Sequence, residues 1–483
     1  MPSPLSSQSA APPSPPAPKN GESGPENVGL RRSLGHGQMA MIAMGSALGT
    51  GLFLGSGKAI GVAGPAVILS FAIGSLIAAC IAVCVGEMAS RYPVPGGFGT
   101  LASHFLSPFW GYLTRWSYWW VTVAVTGSEL VAVATYLTFW WPQIPIWLGI
   151  LVFAAFILIL NLISVKSFGT VEFVLSSIKV IAVFAFIVVG LLLVFVGLPG
   201  HAPAGVGNLT SDGGFMPGGF SSVWVSMAVV MFSFGGIELL SISAAEAKDP
   251  GRSVRTATRT IMMRLAFFYV IAIAIIVCLV PWRSAADSHG DVSNSPFVLV
   301  FQDLGISGAA SLTNFIVLVA ALSAANANLY AGGRMLHSLS TDRMAPRTFG
   351  TISPSQVPIK ATLFSTLGIL IAAIMALTGI GDVFVVMISI VLFSVLLVWA
   401  LILVSYLKYW RHRDGKAPFR APGGPITAVI GLIGVVWVFA TVTVVPDMTF
   451  AAMVGVPFIL VLTAAYFLVV RRKIDRTANL LHE

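Results

Sequence analysis

The sequence predicts an all-α, polytopic membrane protein with twelve transmembrane helices, and three observations support this. Of its 483 residues, 57% are hydrophobic and only 9% are charged, whereas an ordinary soluble domain has about 25% charged residues. Apolar runs near or above the roughly 20 residues needed to cross a bilayer recur along almost the whole chain. The basic residues alternate between successive loops, as in proteins with many membrane crossings.

The predicted spans leave no room for a separate soluble domain. They cover approximately residues 38–62, 65–90, 109–140, 144–164, 170–198, 221–247, 257–281, 308–338, 359–379, 382–408, 425–446 and 449–470. Residues 1–28 are rich in Pro and Ser and lack the apolar core of a signal peptide, so they are predicted to form a disordered tail. We expect residues 29–471 to form the transmembrane domain and 472–483 a second short tail.

The net charge of +9 is spread over the loops and is not gathered in one patch. When the N-terminus is placed inside the cell, 22 of the 27 basic residues fall on the cytoplasmic side, and only Lys58 and Arg283 fall outside. The positive-inside rule then predicts that both termini are cytoplasmic. This distribution gives no indication of a nucleic-acid partner.

Glycines interrupt two of the spans. The first interruption is GSALGTG at residues 45–51 in span 1, and the second is FSFGGIE at residues 232–238 in span 6. An unpaired backbone group in hydrocarbon costs several kcal/mol, so a broken helix is tolerated only where protein or a watery cavity surrounds it. Close helix packing through GxxxG spacing is the simpler alternative for the first interruption.

The two interruptions lie five spans apart, which is typical of inverted repeats whose broken helices meet near the bilayer midplane. We therefore predict repeats over approximately 38–198 and 221–408, with two additional helices over 425–470. Unwinding would free amides at residues 46–51, which suit an anion, and carbonyls at residues 233–237, which suit an ammonium group. The pattern indicates a site for a small zwitterion.

Three ionisable residues are predicted at membrane depth, namely Lys179, Glu129 and Glu238. A charge at the bilayer centre costs at least ~2.5 kcal/mol, so each group needs a partner, water or a change of protonation. They are candidates for binding protons, one another or a substrate ammonium group. For each of them, a fixed structural role is the alternative.

The remaining charges near the span ends call for simpler interpretations. Glu87 and Arg91, four residues apart on span 2, are predicted to form an interfacial ion pair. Surface snorkelling is expected for Glu172, Glu246, Arg115 and Arg264.

Other functional classes are disfavoured. A channel would need a continuous polar pore, and ionisable residues at membrane depth are few. The histidines fall in loops or near span ends, so the groups that a membrane-embedded enzyme would need do not come together. GTGLFLG lacks the spacing of a nucleotide-binding GxGxxG motif, and the three cysteines lie at membrane depth without a metal-ligand cluster. We therefore expect neither a catalytic residue nor a metal or cofactor.

Several motifs also resemble a known family. The chain contains GSALGTGLFLGSG, GPAVILSF, GEMASRYPVPGGF, SELVAVATYL, SSIKVIAV, MFSFGGIELLSISAAEAKDP, SPFVLVF and LYAGGRML. In order and spacing these resemble the bacterial amino acid permeases of the amino acid–polyamine–organocation superfamily, over roughly residues 30–470. Permeases for aromatic amino acids and their relatives for γ-aminobutyrate, proline, lysine and asparagine look most alike.

The resemblance implies a leucine-transporter-type fold with 5+5 inverted repeats, broken helices 1 and 6, and proton-coupled uptake. The family segment that binds the α-carboxylate of the substrate matches Ser46, Ala47, Gly49, Thr50 and Gly51. The broken sixth helix, whose carbonyls hold the amino group, matches Phe232, Ser233, Phe234 and Gly235, with Phe232 at the position of an aromatic gate. Lys179 matches the lysine that replaces a bound sodium ion, whereas Glu129 and Glu238 match shared acidic positions. Asn326 in span 8 aligns with a polar position, although its NANLY context departs from the usual tripeptide.

We therefore expect a multi-pass secondary transporter of the cell membrane that imports a neutral amino acid by proton symport. An amino acid or amine exchanger and an importer of cationic amino acids are the alternatives. The expected partners are the amino acid, protons and the lipid bilayer. Selectivity among amino acids would be set by the shape of a pocket formed by spans 1, 3, 6, 8 and 10.

Overall fold

The structure is a computed structural model that describes residues 34–45, 48–53, 55–197, 202–286, 295–302, 308–379, 383–444 and 449–474. Helices dominate these residues. Their α-helices are α1 (His36–Gly45), α2 (Thr50–Phe53), α3 (Gly55–Ala63), α4 (Val67–Arg91), α5 (Phe98–Phe105), α6 (Pro108–Leu137), α7 (Ile146–Ile163), α8 (Val165–Phe195), α9 (Gly219–Phe232), α10 (Leu239–Ser243), α11 (Pro250–Arg264), α12 (Ala272–Leu279), α13 (Trp282–Ala286), α14 (Pro296–Gln302), α15 (Ala309–Thr341), α16 (Ile359–Phe364), α17 (Leu367–Thr378), α18 (Val383–His412), α19 (Pro425–Val444) and α20 (Thr449–Ala465). A π-helix over Leu265–Ile271 joins α11 to α12, and another over Tyr466–Val470 extends α20.

The all-α prediction is confirmed, because the described residues contain helices and one isolated parallel β-bridge, between Leu34 and Ala247. Ten segments of the described chain are long and apolar enough to cross a membrane, which confirms a polytopic membrane protein. They are Thr50–Arg91, Pro108–Leu137, Ile146–Ile163, Val165–Phe195, Pro250–Leu279, Ser311–Thr341, Ile359–Thr378, Val391–His412, Pro425–Val442 and Ala451–Val470.

The difference between ten such segments and the twelve predicted spans lies at the two interrupted helices. Predicted span 1 is divided into α1 and the short helices α2 and α3, and the latter two fall within the long apolar segment Thr50–Arg91. Predicted span 6 is divided after α9, which at 14 residues is too short to cross a bilayer alone. The count of twelve therefore depends on how the interrupted helices are placed in the bilayer.

The long helix α6 packs against α15, α18, α7 and α17, and it occupies the centre of the bundle. Its contact with α17 is close enough to require glycine. A Cβ added to Gly368 would overlap the Val123 carbonyl oxygen. A Cβ added to Gly127 would lie 2.6 Å from the Gly368 carbonyl oxygen. Small residues at such crossings let helix backbones approach one another, as is common in membrane bundles.

The expectation that Glu172, Glu246, Arg115 and Arg264 snorkel to the surface is wrong. All four side chains are buried, with at most 1% of their surface exposed. Burial of a charge in a membrane protein requires a polar partner. Arg115, for example, forms an ion pair with Asp342 at 2.5 Å.

The predicted ion pair between Glu87 and Arg91 is also wrong. Arg91 pairs with Asp414 at 2.6 Å in the loop that follows α18. The buried Glu87 carboxylate accepts hydrogen bonds from the Tyr406 hydroxyl at 2.5 Å and from the Ala421 amide at 2.9 Å. Helical spacing alone therefore did not identify either partner, because both lie more than 300 residues away in the sequence.

Candidate functional site

The first interruption lies between α1, which ends at Gly45, and α2, which begins at Thr50. Ser46 and Ala47 lie outside the described residues. At the start of α2, the Thr50 amide lies 3.3 Å from both carboxylate oxygens of Glu129, and the Thr50 hydroxyl donates to Oε1 at 3.0 Å. Glu129 comes from α6, so a side chain from a different helix satisfies the backbone at this interruption.

The second interruption lies between α9 and α10, where residues 233–238 form turns instead of regular α-helix. The amides of Ser233, Phe234 and Gly235 bond to carbonyls three residues earlier, at 3.0–3.1 Å. Gly236 has a φ of +93°, a conformation that glycine adopts readily because it has no Cβ. The chain therefore leaves the helical path here without leaving these three amides unpaired.

Tyr269 holds the start of this turn. Its hydroxyl donates to the Ser233 carbonyl oxygen at 2.8 Å, and it lies in the π-helix between α11 and α12. The ring of Phe234 packs against Tyr269, with ring centroids 4.8 Å apart, and its side chain is fully buried. Phe234 is therefore an anchor of the turn, and its ring does not face the space between the two interruptions.

The two interrupted segments are in direct contact. A Cβ added to Gly51 would lie 2.7 Å from the Ser233 Cα and 3.0 Å from the Phe232 ring. Such distances are too short for any side chain at position 51. Glycine here therefore allows the two backbones to meet, as the zwitterion-site hypothesis requires.

A small cavity lies between the two segments. Residues from both segments and from α6, α15 and α18 line it: Gly49, Gly51, Val121, Val125, Glu129, Phe232, Ser233, Gly235, Gly236, Glu238, Ala324, Asn328, Val391 and Val395. These elements correspond to predicted spans 1, 3, 6, 8 and 10. The cavity has a volume of about 30 Å³, which is room for about two waters. In this conformation the cavity is narrower than an amino acid, so its walls must separate to admit one.

Glu238 forms the wall of this cavity opposite the first interruption. Its carboxylate accepts hydrogen bonds from the Gly236 amide at 3.1 Å and the Trp399 indole at 3.0 Å, and Tyr118 bonds to it as well. Only 1% of the Glu238 side chain is exposed. Sequence reasoning missed Trp399 and Tyr118, because an aromatic residue in an apolar span resembles any lipid-facing or core residue.

Lys179 is fully buried on α8, but it is not part of the cavity lining. It interacts electrostatically with Glu172 and Glu129, and the positive charge of Arg264 lies near enough to oppose it. Arg264 in turn interacts with Glu238. The three residues that the sequence singles out therefore belong to one buried group of charges, which also contains Glu172 and Arg264.

Glu172 connects Lys179 to the neighbouring helices. Its carboxylate accepts hydrogen bonds from Ser176 at 3.0 Å, from Ser323, and from the Asn326 amide at 3.1 Å. Asn326 also accepts a hydrogen bond from Asn161 at 2.8 Å. The polar residue aligned in span 8 is thus part of a network that joins α7, α8 and α15. Sequence analysis missed this role of Glu172, because the residue lies near the end of a predicted span.

The end of the bundle that carries α1 is closed by a second polar cluster. The Leu34 amide donates to the Glu246 carbonyl, and the Lys248 amide donates to the Leu34 carbonyl, each at 3.0 Å. The Glu246 carboxylate pairs with Arg334 at 2.9 Å and accepts from the Tyr330 hydroxyl at 2.5 Å. These contacts hold the segment before α1, the segment after α10 and helix α15 together.

Comparison with known proteins shows which family this architecture represents. The amino acid permease profile matches residues 38–479. The chain belongs to the amino acid permease family. The permease is 35% identical to the uncharacterized amino acid permease YtnA of Bacillus subtilis, over 91% of this chain and 95% of that protein.

Two further relatives carry named substrates. The probable threonine/serine transporter YbxG of Bacillus subtilis is 34% identical, over 91% of the permease and 95% of YbxG. The aromatic amino acid transport protein AroP of Escherichia coli K12 is 39% identical, over 80% of the permease and 83% of AroP. The family resemblance read from the motifs is therefore confirmed, and so is the assignment to transport in a membrane. The permease is a multi-pass protein of the cell membrane, and members of its family are transporters and not enzymes.

Proposed function

We propose that this permease imports a neutral amino acid together with a proton by alternating access. The observation that carries the proposal is the contact between the two interrupted segments at Gly51 and Ser233. Interrupted helices that meet beside a cavity are the usual substrate site of secondary transporters built from inverted repeats. The proposal includes twelve membrane crossings, two repeats of five spans and cytoplasmic termini.

The α-carboxylate of the substrate binds at the first interruption, with Ser46, Ala47, Gly49, Thr50 and Gly51. Its ammonium group binds at the second interruption, at carbonyls of the segment Phe232–Gly235 and beside Glu238. The Thr50 amide and hydroxyl are bonded to Glu129 in this conformation. Substrate binding therefore requires the hydrogen bonds between Glu129 and Thr50 to break. The hydrogen bonding of Glu129 is in this way coupled to occupancy of the site.

The cavity residues that remain to recognise the side chain of the substrate favour a neutral amino acid. Val121, Val125, Val391 and Val395 supply apolar surface to the cavity. Glu238 already accepts from the Trp399 indole, the Gly236 amide and Tyr118, and its remaining acceptor capacity serves the substrate ammonium group, which leaves none for a cationic side chain. The names of the relatives AroP and YbxG, which refer to aromatic amino acids and to threonine and serine, agree with a neutral substrate.

Lys179 couples the proton to the movement of the helices, with Glu129 and Glu238 as the other proton-binding candidates. Helix α8, which carries Lys179, packs against both α1 and α15. A charged Lys179 attracts Glu129, which is bonded to Thr50 after the end of α1. It also attracts Glu172, which is bonded to Asn326 of α15. Through these two carboxylates it holds α8 to the first interruption and to α15. Loss of its proton removes that attraction and lets α1 separate from α8, which opens the site toward the cytoplasm.

Reconstituted vesicles with an imposed inward proton gradient test this proposal. Uptake should be measured for each of the twenty amino acids, with and without a protonophore. Wild-type permease should concentrate a neutral amino acid, and the protonophore should abolish accumulation. Amino acid exchange without any proton requirement would instead identify an exchanger, and accumulation limited to arginine or lysine would identify a cationic importer.

A matched pair of lysine variants on α8 tests the coupling. Lys179→Gln should lose gradient-driven accumulation while it retains counterflow exchange of labelled substrate. Lys166→Gln removes an exposed lysine from the same helix, and it should behave as wild type. Unchanged accumulation in Lys179→Gln would rule out the coupling role of this residue.

A further inference from the structure

A groove of about 850 Å³, which shares no lining residue with the substrate cavity, lies between the start of α6, the loop after α15 and the π-helix that ends the last span. Four basic residues line it, namely Arg343, Arg347, Arg472 and Lys473, and no acidic residue does. All four side chains are exposed. Within the residues that the structure describes, none of the four forms a salt bridge. The groove therefore presents a concentrated positive charge with nothing in the described chain to neutralise it.

The wall of the groove is rigid. Arg115 pairs with Asp342 at 2.5 Å, and the Trp116 indole donates to the Met344 carbonyl at 3.2 Å. The Met344 amide donates to the Leu339 carbonyl at 2.7 Å, which folds the loop back onto α15. Because the charge of Asp342 is directed at Arg115, it does not offset the basic residues of the loop. The backbone of the loop that carries Arg343 and Arg347 is thus held in place before any ligand binds.

The backbone conformation of Arg343 also indicates that the loop is rigid. It has a φ of +59°, a conformation that is unfavourable for a residue with a side chain. The Arg343 amide donates to the Ser340 carbonyl at 3.0 Å within this tight turn. Non-glycine residues in such conformations persist only where the surrounding structure imposes them. Here the turn places Arg343 and Arg347 along one edge of the groove.

The other edge of the groove lies at the end of the last apolar span, Ala451–Val470. Leu468 and Val469 are exposed by 68% and 50%, as expected for side chains that face lipid, and Arg472 and Lys473 follow within one helical turn. Tyr112 packs against Tyr466 with ring centroids 5.3 Å apart and closes the apolar base of the groove. Basic pockets between transmembrane helices at a membrane surface are suited to lipid head groups. Apolar surface below such a pocket can receive the acyl chains.

We propose that this groove binds the head group of an anionic phospholipid, with its acyl chains against the exposed apolar side chains at the end of the last span. The four cations match the phosphate and the net negative charge of such a lipid. A zwitterionic lipid has no net charge, so it lacks this complementarity. A free phosphate ion shares the charge, but it would make no use of the apolar surface beside the cations. The site is independent of the substrate cavity and of the transport mechanism.

The test uses the purified full-length permease in zwitterionic detergent micelles. Phosphatidylglycerol is titrated in, and retained lipid is counted by native mass spectrometry while the melting temperature is recorded. Phosphatidylcholine is the zwitterionic comparison, and inorganic phosphate is the free-anion comparison. We expect phosphatidylglycerol alone to be retained and to raise the melting temperature.

The decisive variants are two matched double substitutions. Arg347→Gln/Arg472→Gln removes two groove cations, and Arg255→Gln/Arg259→Gln removes two exposed arginines from α11. A basic residue near an anionic lipid is worth about fivefold in affinity, so the groove variant should bind about 25-fold more weakly than the control. Lys473 lies past the last helix, so Lys473→Gln perturbs no packing. This substitution should weaken binding about fivefold.

Three results would overturn the proposal. The first is equal phosphatidylglycerol affinity in the groove and control variants. The second is retention of phosphatidylcholine to the same extent as phosphatidylglycerol. The third is a melting-temperature shift with inorganic phosphate equal to that with the lipid, which would identify a general anion site.

Discussion

The two interrupted segments of the permease break their helices in similar ways but are stabilised differently. The first, between Gly45 and Thr50, is held by Glu129 from α6, through the Thr50 amide and hydroxyl. The second, between Phe232 and Leu239, is held partly by its own carboxylate, because Glu238 accepts from the Gly236 amide two residues earlier. One segment therefore depends on a distant side chain, whereas the other is in part self-contained.

This difference shows which segment a proton could control. The contact that holds the first segment weakens if Glu129 is neutralised and is lost if Glu129 moves away, since the charged carboxylate is the stronger acceptor. The second segment retains short-range amide bonds to Val230, Met231 and Phe232 whatever happens to Glu238. We therefore expect the first segment to be the more mobile during transport and the second to be the fixed part of the site.

The largest effect should come from Gly51→Ala, which breaks the contact between the segments. The new Cβ would lie 2.7 Å from the Ser233 Cα, and a backbone atom cannot move aside as a flexible side chain can. Relief requires a backbone shift that costs roughly 1–3 kcal/mol, so substrate uptake should fall to background. Gly55→Ala is the control, because its Cβ would meet Val229 at 3.9 Å and the Thr50 carbonyl oxygen at 4.0 Å, which are ordinary contact distances. Full uptake in Gly51→Ala would show that the two segments need not touch.

The next effect should come from Glu129→Gln, which tests the dependence of the first segment on a distant carboxylate. The amide side chain has one acceptor oxygen in place of two and cannot exchange a proton near neutral pH, so the hold on Thr50 becomes weaker and independent of pH. Uptake measured between about pH 5 and pH 8 should lose its dependence on the proton gradient, while counterflow persists. Glu238→Gln is the comparison for the second segment. Identical pH profiles for the two variants would contradict the proposed difference between the segments.

A moderate effect is expected from Tyr269→Phe at the second segment. The change removes one hydrogen bond to the Ser233 carbonyl, which should lower stability by about 1 kcal/mol. Tyr136→Phe is the control, because the buried Tyr136 hydroxyl has no hydrogen-bond partner in the described chain. Thermal unfolding in detergent should show a lower melting temperature for Tyr269→Phe only. An equal loss in both variants would mean that the hydroxyl does not stabilise the turn.

The smallest effect is expected at Arg91 and Asp414, a surface pair remote from both segments. The Arg91 guanidinium beside Asp414 holds the pKa of that carboxyl below its usual value. A carboxyl with a lowered pKa in the folded state stabilises the protein above the ordinary carboxyl pKa, and the contribution is lost as the pH falls through the lowered value. Because both side chains are about one-third exposed, solvent and salt keep this contribution small.

Arg91→Gln should therefore lower the melting temperature slightly at neutral pH and hardly at all at a pH below the lowered pKa of Asp414, where this carboxyl is protonated in both proteins. Arg411→Gln, at an exposed arginine in the last turn of α18, is the control. A loss of stability that grows as the pH falls would contradict the sign of this prediction. Substrate uptake should be unaffected, which gives a baseline for the variants at the two segments.

The buried charges illustrate the limit of sequence-based prediction. Glu129 and Glu238 could be selected because they lie in the middle of apolar runs, where a carboxylate is costly. Glu172 and Arg264 lie near predicted span ends, where snorkelling is the simpler interpretation, yet both are buried beside Lys179. Depth along the chain does not reveal which side of a helix faces the protein, so it cannot separate a lipid-facing end from a buried one.

The partners of these charges were still harder to predict. Helical spacing favoured Arg91 as the partner of Glu87, but the structure pairs Arg91 with Asp414. In the same way, nothing local to Trp399 or Tyr118 indicated that they bond to Glu238. These contacts join helices that are far apart in the chain, and their geometry depends on how the bundle packs.

By itself, the sequence determined that this chain is a helical membrane protein, where two of its helices are interrupted and which family it belongs to. Those properties follow from composition, from the length of apolar runs and from short motifs, all of which are local. Only the tertiary structure decided that Gly51 meets Ser233, that Glu129 bonds to Thr50 and that Glu172 lies beside Lys179. The reason is that burial and pairing of polar groups are set by the packing of distant helices, which no local pattern specifies.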